Sequence, residues 1–187
     1  MRWKERVSNE LFGYRFRCSY NVFLGARDSS LGGKMTKLRS EVRQFMSAAL
    51  QPLPSKPTAP DARTVRLRML LVAEEVFELL EACVPPGGRD ARYFLDAKET
   101  VLRAIARAEV EPCLPMVADA CADIDYVVEG ARLTFGINGS PIAREVHRNN
   151  MTKMLGTTLD SNGKVRKPAG WTPPDIAALL RKQGWEG

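Results

Sequence analysis

From Thr36 onward the chain repeats apolar residues at the three- and four-residue spacing of an amphipathic helix, and clusters of proline and glycine interrupt that spacing. Thr36 can cap the first segment, whose apolar stripe consists of Leu38, Val42, Phe45, Met46 and Ala49. No stretch alternates apolar and polar side chains over the length of a strand. The sequence therefore predicts an all-α fold.

Breaks in this spacing divide the chain into further helices. A proline-rich run at 51–60 ends the first helix. We then predict two helices, from an Asp61 cap to about Ala82 and from Asp90 to Ala108. Three more follow: Met116 to Phe135, a Ser140–Pro141 start to about Met154, and a short helix after Asp175. The apolar members expected in the third of these six helices are Leu95, Val101, Leu102 and Ile105. We expect a helical bundle with a four-helix core and a looped basic C-terminal tail, in which 159–165 is the one candidate for a small hairpin.

Composition is that of an ordinary soluble globular protein, because 44% of the 187 residues are hydrophobic and 27% are charged. No window approaches ~18 consecutive apolar residues, and no secretory signal is visible at the N-terminus. The four cysteines form no C-x-x-C pair and there is one histidine, which argues against a structural zinc site. We expect a cytoplasmic protein with reduced thiols and no membrane partner.

The net charge of +6 is concentrated near the N-terminus. Residues 1–34 contain seven basic and three acidic side chains, so the rest of the chain carries a net charge of only +2. We expect a flexible basic extension at 1–34, which includes a glycine-containing joint at 25–33, followed by one domain at 35–187. The extension has three interpretations: a mobile tail, a targeting or nucleic-acid-contacting arm, and a stretch upstream of a natural start at Met35. The weak charge of the body makes a nucleic-acid partner a poor explanation.

The second predicted helix has an unusual acidic face. Its glutamates lie within about a third of the helix circumference: Glu74, Glu75, Glu78 and Glu81. Val72, Val76, Leu79 and Leu80 lie on the opposite side. Like charges at this spacing repel, and no basic residue occurs between Arg68 and Arg89 to relieve the repulsion.

The fourth predicted helix carries Asp119 and Asp123 one turn apart, among small and apolar neighbours that predict burial. Buried carboxylates are costly unless a cation neutralises them. Two acidic helices in one bundle therefore predict a site for a divalent metal, and oxygen ligands suit Mg²⁺, with Mn²⁺ as a substitute. The alternative is a solvated acidic face with no metal.

At these residues the chain resembles the MazG-like all-α NTP pyrophosphatases, in the branch similar to phosphoribosyl-ATP pyrophosphohydrolases. The family has E-x-x-E on one helix and E-x-x-D on another; Glu75-Val-Phe-Glu78 resembles the first, and the segment around Asp123 and Tyr126 resembles the second. The family's second acid would fall at Ala120, and Asp119 stands one residue earlier. Further similar segments are 145–153, 163–171 and 173–175.

The resemblance implies Mg²⁺-dependent hydrolysis of a nucleoside triphosphate, or its deoxy form, between the α- and β-phosphates, giving the monophosphate and pyrophosphate. The implied role is nucleotide-pool house-cleaning, in a homodimer or higher homo-oligomer. The implied metal ligands are Glu75, Glu78, Asp119 and Asp123, and Glu74 or Glu75 would accept the proton from water. The implied substrate-binding residues are Asn150, Lys153, Tyr126, Lys164 and Lys167.

Several of these roles have an alternative. Tyr126 can pack in the bundle instead of stacking on a base, and Lys164 and Lys167 can belong to a plain solvated loop. Trp171 is expected to anchor the tail to the core. For the whole protein, the alternatives are a phosphoribosyl-ATP pyrophosphatase and a non-catalytic helical module that binds nucleotides or nucleic acid.

Overall fold

The computed structural model describes residues 36–154 and 158–187, so the expectations for the extension at 1–34 lie outside the described residues. The described part contains six helices and no strand: α1 (Lys37–Ala48), α2 (Ala62–Ala82), α3 (Arg89–Arg107), α4 (Leu114–Thr134), α5 (Gly139–Thr152) and α6 (Ile176–Arg181). Leu159 and Val165 form an isolated antiparallel bridge at the position where a small hairpin was considered. The predicted all-α fold is confirmed.

Short polar side chains cap four of the six described helices, whereas α3 and α4 begin without a side-chain cap. Thr36, Asp61 and Asp175 cap α1, α2 and α6, and each accepts a backbone N–H three residues further on, at 3.3, 2.9 and 2.8 Å respectively. The predicted start of α5 is wrong by two residues. Asn138 is the cap, because its side chain accepts the backbone N–H of Ser140 at 3.1 Å and so draws Ser140 into the first turn.

Packing between helices leaves one helix without a comparable partner. In the described residues, α2 packs extensively against α3, α1 packs against α5 over a smaller area, and α5 contacts α6 at a few residues. Helix α4 takes part in none of these pairs, and every residue from 115 to 127 is exposed. The expectation that α4 is largely buried is therefore not met in the described part of one chain, because no other described helix packs extensively against its middle.

Helix α2 also exposes the side that the sequence predicts to be apolar. Its aliphatic residues are between 38% and 47% exposed: Val72, Val76, Leu79 and Leu80. On the acidic side Glu74 and Glu81 are partly buried, whereas Glu75 and Glu78 are more exposed. The apolar surface of α2 therefore faces solvent in the single chain.

Few side chains are fully buried in the described part of the chain. Ala49 and Leu67 are the buried apolar residues, and Asn149 is the buried polar one. A helical domain of ordinary size normally buries a continuous core. Among the described helices, none combines the length and the apolar character needed to cross a bilayer.

Candidate functional site

A tight turn in the C-terminal segment directs one lysine toward α2. We call residues 158–175 the tail loop. Asp160 Oδ1 accepts the backbone N–H groups of Asn162 and Lys164, both at 2.9 Å. Between them Gly163 has a φ of +89°, which glycine adopts without steric cost. The turn therefore has a defined shape, and Lys164 follows it directly.

Three contacts hold the tail loop against the helices. Arg63, in the first turn of α2, donates to the carbonyl of Ser161 at 3.2 Å. The Lys164 ammonium binds the Glu74 carboxylate of α2. At the other end of the loop, Asn149 of α5 donates its side-chain amide to the carbonyl of Thr172 at 2.8 Å. The loop thus spans from the acidic helix to the end of α5.

Three lysines lie close together at the end of α5 and in the tail loop. Lys153 donates to the side-chain oxygen of Asn150 at 2.6 Å, and its ammonium lies 5.1 Å from the centre of the Trp171 ring. The ammonium of Lys167 lies 4.5 Å from the same ring centre. Burial lowers the pKa of Lys153, and the positive charges of Lys167 and Lys164 lower it further. The lysines predicted from the resemblance are therefore close enough to influence one another.

The acidic side of the same site centres on Glu75. Partial burial raises the pKa of Glu75, the nearby Glu78 carboxylate adds to this effect, and the positive charge of Lys164 opposes it. Lys153 also acts on Glu75 through its charge. The site accordingly combines carboxylates of α2 with ammonium groups of α5 and the tail loop.

Sequence reasoning missed Lys98, which supplies positive charge to the acidic helix from α3. Its ammonium lies 3.6 Å from one oxygen each of Glu78 and Glu81. The signal is visible in retrospect, because the partly buried positions of α3 are Ala91, Phe94, Lys98, Leu102 and Ile105. That stripe differs from the predicted one, since Leu95 is 56% exposed and Val101 is 38% exposed. A lysine among the residues that face an acidic helix can pack its aliphatic stem against that helix and place its ammonium beside a carboxylate.

The chain does not bring its two acidic helices together at one metal. Asp119, Asp123 and Tyr126 lie on the exposed middle of α4. Within the described part of the chain, no group of three or more His, Cys, Asp or Glu side chains could hold a metal ion. The expected convergence of Glu75 and Glu78 with Asp119 and Asp123 is thus not seen in one chain, because α4 does not pack along α2.

Comparison with known proteins gives the family. The model of the phosphoribosyl-ATP pyrophosphohydrolase family matches residues 42–150, which is more than half of the chain and includes both acidic motifs. The fold is similar to the crystal structure of a candidate NTP pyrophosphohydrolase from Exiguobacterium sp. 255-15, with a TM-score of 0.60, 25% identity, and coverage of 81% of this chain and 98% of that chain. No curated protein matches the sequence. The chain belongs to the phosphoribosyl-ATP pyrophosphohydrolase family.

Proposed function

We propose that the protein is a Mg²⁺-dependent nucleoside triphosphate pyrophosphohydrolase that releases a nucleoside monophosphate and pyrophosphate. The observation that carries this proposal is the pairing of an acidic helix with a group of lysines. Lys164 binds Glu74, Lys153 acts on Glu75 through its charge, and Lys167 lies close enough to Lys153 to act on it. Carboxylates suit a hard metal, and ammonium groups suit phosphate. Family membership supports the same reaction class. We further propose a house-cleaning role in the cytoplasm.

The donor set of α2 fits Mg²⁺ by its chemistry. The glutamates supply oxygen ligands, and mutual repulsion between Glu75 and Glu78 is what a divalent cation would relieve. Glu75 and Glu78 would hold the metal together with Asp119 and Asp123. When bound, Mg²⁺ supplies charge neutralisation at the phosphates and lowers the pKa of the attacking water.

The chain's own residues supply substrate binding and proton transfer. We assign Lys153, Lys164 and Lys167 to the phosphates and Asn150 to the phosphate or sugar next to Lys153. Glu74 is occupied by Lys164, whereas the Glu75 carboxylate has two oxygens, one for the metal and one for the attacking water. We therefore favour Glu75 as the proton acceptor, and Glu74 as the group that holds Lys164 in place until the triphosphate binds.

A second copy of the chain would complete the site, and we propose a homodimer. The apolar side of α2 and the middle of α4 are both exposed. Helix α4 carries Asp119 and Asp123, the two proposed metal ligands that do not reach Glu75 and Glu78 within one chain. Apolar surface of this extent is typical of an obligate interface between subunits. Tyr126, which is 82% exposed, belongs to the same surface and is available to stack on a base or to pack against the second copy.

A panel of nucleotides tests the proposed reaction. Purified protein with Mg²⁺ is incubated with each NTP and dNTP, including dUTP and dCTP, and the products are separated by chromatography. We expect monophosphate and pyrophosphate from at least one nucleotide, and loss of both in Glu78→Gln. Release of diphosphate and inorganic phosphate, or undiminished turnover in Glu78→Gln, would contradict the proposal.

Phosphoribosyl-ATP is the second candidate substrate, because the matching family model carries that activity in its description. Measuring the hydrolysis of phosphoribosyl-ATP under the same conditions as the nucleotide panel distinguishes the two candidate substrates. A kcat/KM for phosphoribosyl-ATP well above that for every NTP would make it the substrate.

A further inference from the structure

We propose that Trp171 is a positioning residue of the phosphate site: its indole ring holds the ammonium groups of Lys153 and Lys167 where they bind adjacent phosphates of the substrate. The inference rests on the proposed function and names one more residue for it. It goes beyond the expectation that Trp171 anchors the tail, because the ring also attracts the two ammonium groups electrostatically.

The geometry of the ring and the two lysines is that of a double cation–π contact. The two ammonium groups lie 5.1 and 4.5 Å from the ring centre, inside the ~6 Å within which an aromatic ring attracts a cation. Indole attracts cations more strongly than the other aromatic side chains do. Lys153 lies at the end of α5, and Lys167 lies in the tail loop. The ring therefore joins cations from two separate elements.

The backbone beside the ring is fixed independently of the lysines. Thr172, the next residue, is held by the buried side chain of Asn149. The backbone N–H of Trp171 donates to the carbonyl of Pro168 at 3.1 Å. The indole N–H, in contrast, is buried without an acceptor in the described structure. The ring is thus placed by its backbone and by packing, and its faces remain available to the ammonium groups.

Bringing these lysines together costs free energy. Lys153 is partly buried and lies within the fields of Lys167 and Lys164, and these effects together outweigh the favourable field of Glu75, so the charged form of Lys153 is disfavoured. The ring offsets part of the repulsion, because its negative face attracts both cations. A ligand with several adjacent negative charges would offset the remainder. The arrangement therefore fits a chain of two or more phosphates better than it fits a single one.

The test compares Trp171→Leu, which removes the aromatic face, with Trp171→Phe, which retains a weaker one. The matched control is Trp185→Leu, because Trp185 follows α6 and lies against neither lysine. Binding of inorganic pyrophosphate and tripolyphosphate is measured by calorimetry without metal, and kcat and KM are measured with the best nucleotide.

We expect Trp171→Leu to weaken pyrophosphate and tripolyphosphate binding by about 10-fold and to raise KM similarly, with kcat changed less than about 3-fold. Trp171→Phe should recover part of the loss, and Trp185→Leu should bind as the wild type does. Equal polyphosphate affinity in wild type and Trp171→Leu would overturn the inference. So would a fall in kcat and thermal stability with KM unchanged, since that result indicates a purely structural anchor.

A second experiment covers the case in which Trp171→Leu does not fold. Fluorinated tryptophans weaken the attraction of the ring for cations while nearly preserving its shape, and they are incorporated in a Trp3→Phe, Trp185→Phe background. Pyrophosphate affinity should fall stepwise with the number of fluorines, and a constant affinity would contradict the inference. Failure of the proposed function is distinguishable, because it would remove nucleotide turnover while this stepwise dependence of binding remained.

Discussion

Individual charged residues in this protein gain their roles from partners distant in sequence. Lys98 is 20 residues from Glu78 and Lys164 is 90 residues from Glu74, and each pair sets the charge beside the proposed metal position. Exposed ion pairs contribute little to stability, and the Glu78 side chain is 61% exposed. The consequence of these pairs is therefore expected in ligand binding more than in the free energy of unfolding.

Replacing Lys98 with Met should strengthen metal binding. Met retains the apolar stem of the side chain but removes a positive charge 3.6 Å from Glu78, so the carboxylate attracts a divalent cation more strongly. We expect the Mg²⁺ concentration for half-maximal activity to fall several-fold. Titrations of initial rate against Mg²⁺ measure it, with Lys98→Arg as the control that retains the charge. An unchanged or higher Mg²⁺ requirement in Lys98→Met would argue against Glu78 as a metal ligand.

Replacing Asn149 with Ala should weaken the attachment of the tail loop to α5. The buried amide donates to the carbonyl of Thr172, and its removal leaves that carbonyl without this donor. We expect a loss of about 1–3 kcal/mol in the free energy of unfolding. Urea denaturation followed by circular dichroism measures the loss, and Asn162→Ala in the exposed turn is the matched control. Equal stability of Asn149→Ala and wild type would show that this hydrogen bond does not hold the loop.

At the level of single elements, helix ends and turns are governed by local chemistry. The cap of α2 is the clearest example, because Asp61 accepts both the backbone N–H and the hydroxyl of Thr64. These hydrogen bonds lower the pKa of Asp61 below its usual 3.8, the bond from the backbone N–H having the largest effect. Its contribution to stability is therefore present above the pKa of the unfolded chain and is lost as the pH falls through the folded value.

The Asp61 cap predicts a pH-dependent difference between wild type and Asp61→Asn. Asn caps helices without a charge, so it cannot lose its capping ability by protonation in this range. We expect the wild type to have the higher Tm at neutral pH and the difference to shrink as the pH falls below 3.8. Thermal unfolding followed by circular dichroism over a pH series measures it. A Tm difference that does not vary with pH would mean that the Asp61 carboxylate is not the cap in solution.

At the scale of the whole molecule, the most important feature is the apolar surface that the described helices expose. Helices α2 and α4 present aliphatic side chains to solvent in the single chain, and the described part buries few residues completely. Association with a second copy, as proposed, would supply part of the missing core, because burial of apolar surface is the main favourable contribution to folding and assembly. The proposed homodimer would serve both stability and the metal site.

Introducing a charge on this surface should prevent assembly and abolish activity together. Val76→Glu and Val127→Glu place a carboxylate at positions that are 47% and 62% exposed in the single chain. We expect a smaller mass by light scattering after size-exclusion chromatography and a loss of turnover in both variants. The control is Leu50→Asn, because Leu50 is 92% exposed with a φ of 53°, a conformation that Asn tolerates. A wild-type protein that is monomeric and fully active would contradict the proposed dimer.

The sequence by itself determined the elements of this protein. The signals for a helix act over a few residues: apolar spacing, proline and glycine breaks, and capping side chains such as Thr36 and Asp61. The start of each helix could therefore be predicted to within two residues. The glutamates of α2 and the lysines of the tail loop could likewise be named, because their pattern resembles that of the family.

Only the tertiary structure decided which surfaces of those helices meet. It paired Glu74 with Lys164, placed Lys98 beside Glu78, and brought Trp171 close to Lys153 and Lys167. These contacts join residues far apart in the chain, and periodicity gives the direction of each helix face but not its partner. The exposed α4 follows the same rule, since its apolar composition predicts a cover without specifying whether that cover comes from the same chain or from another.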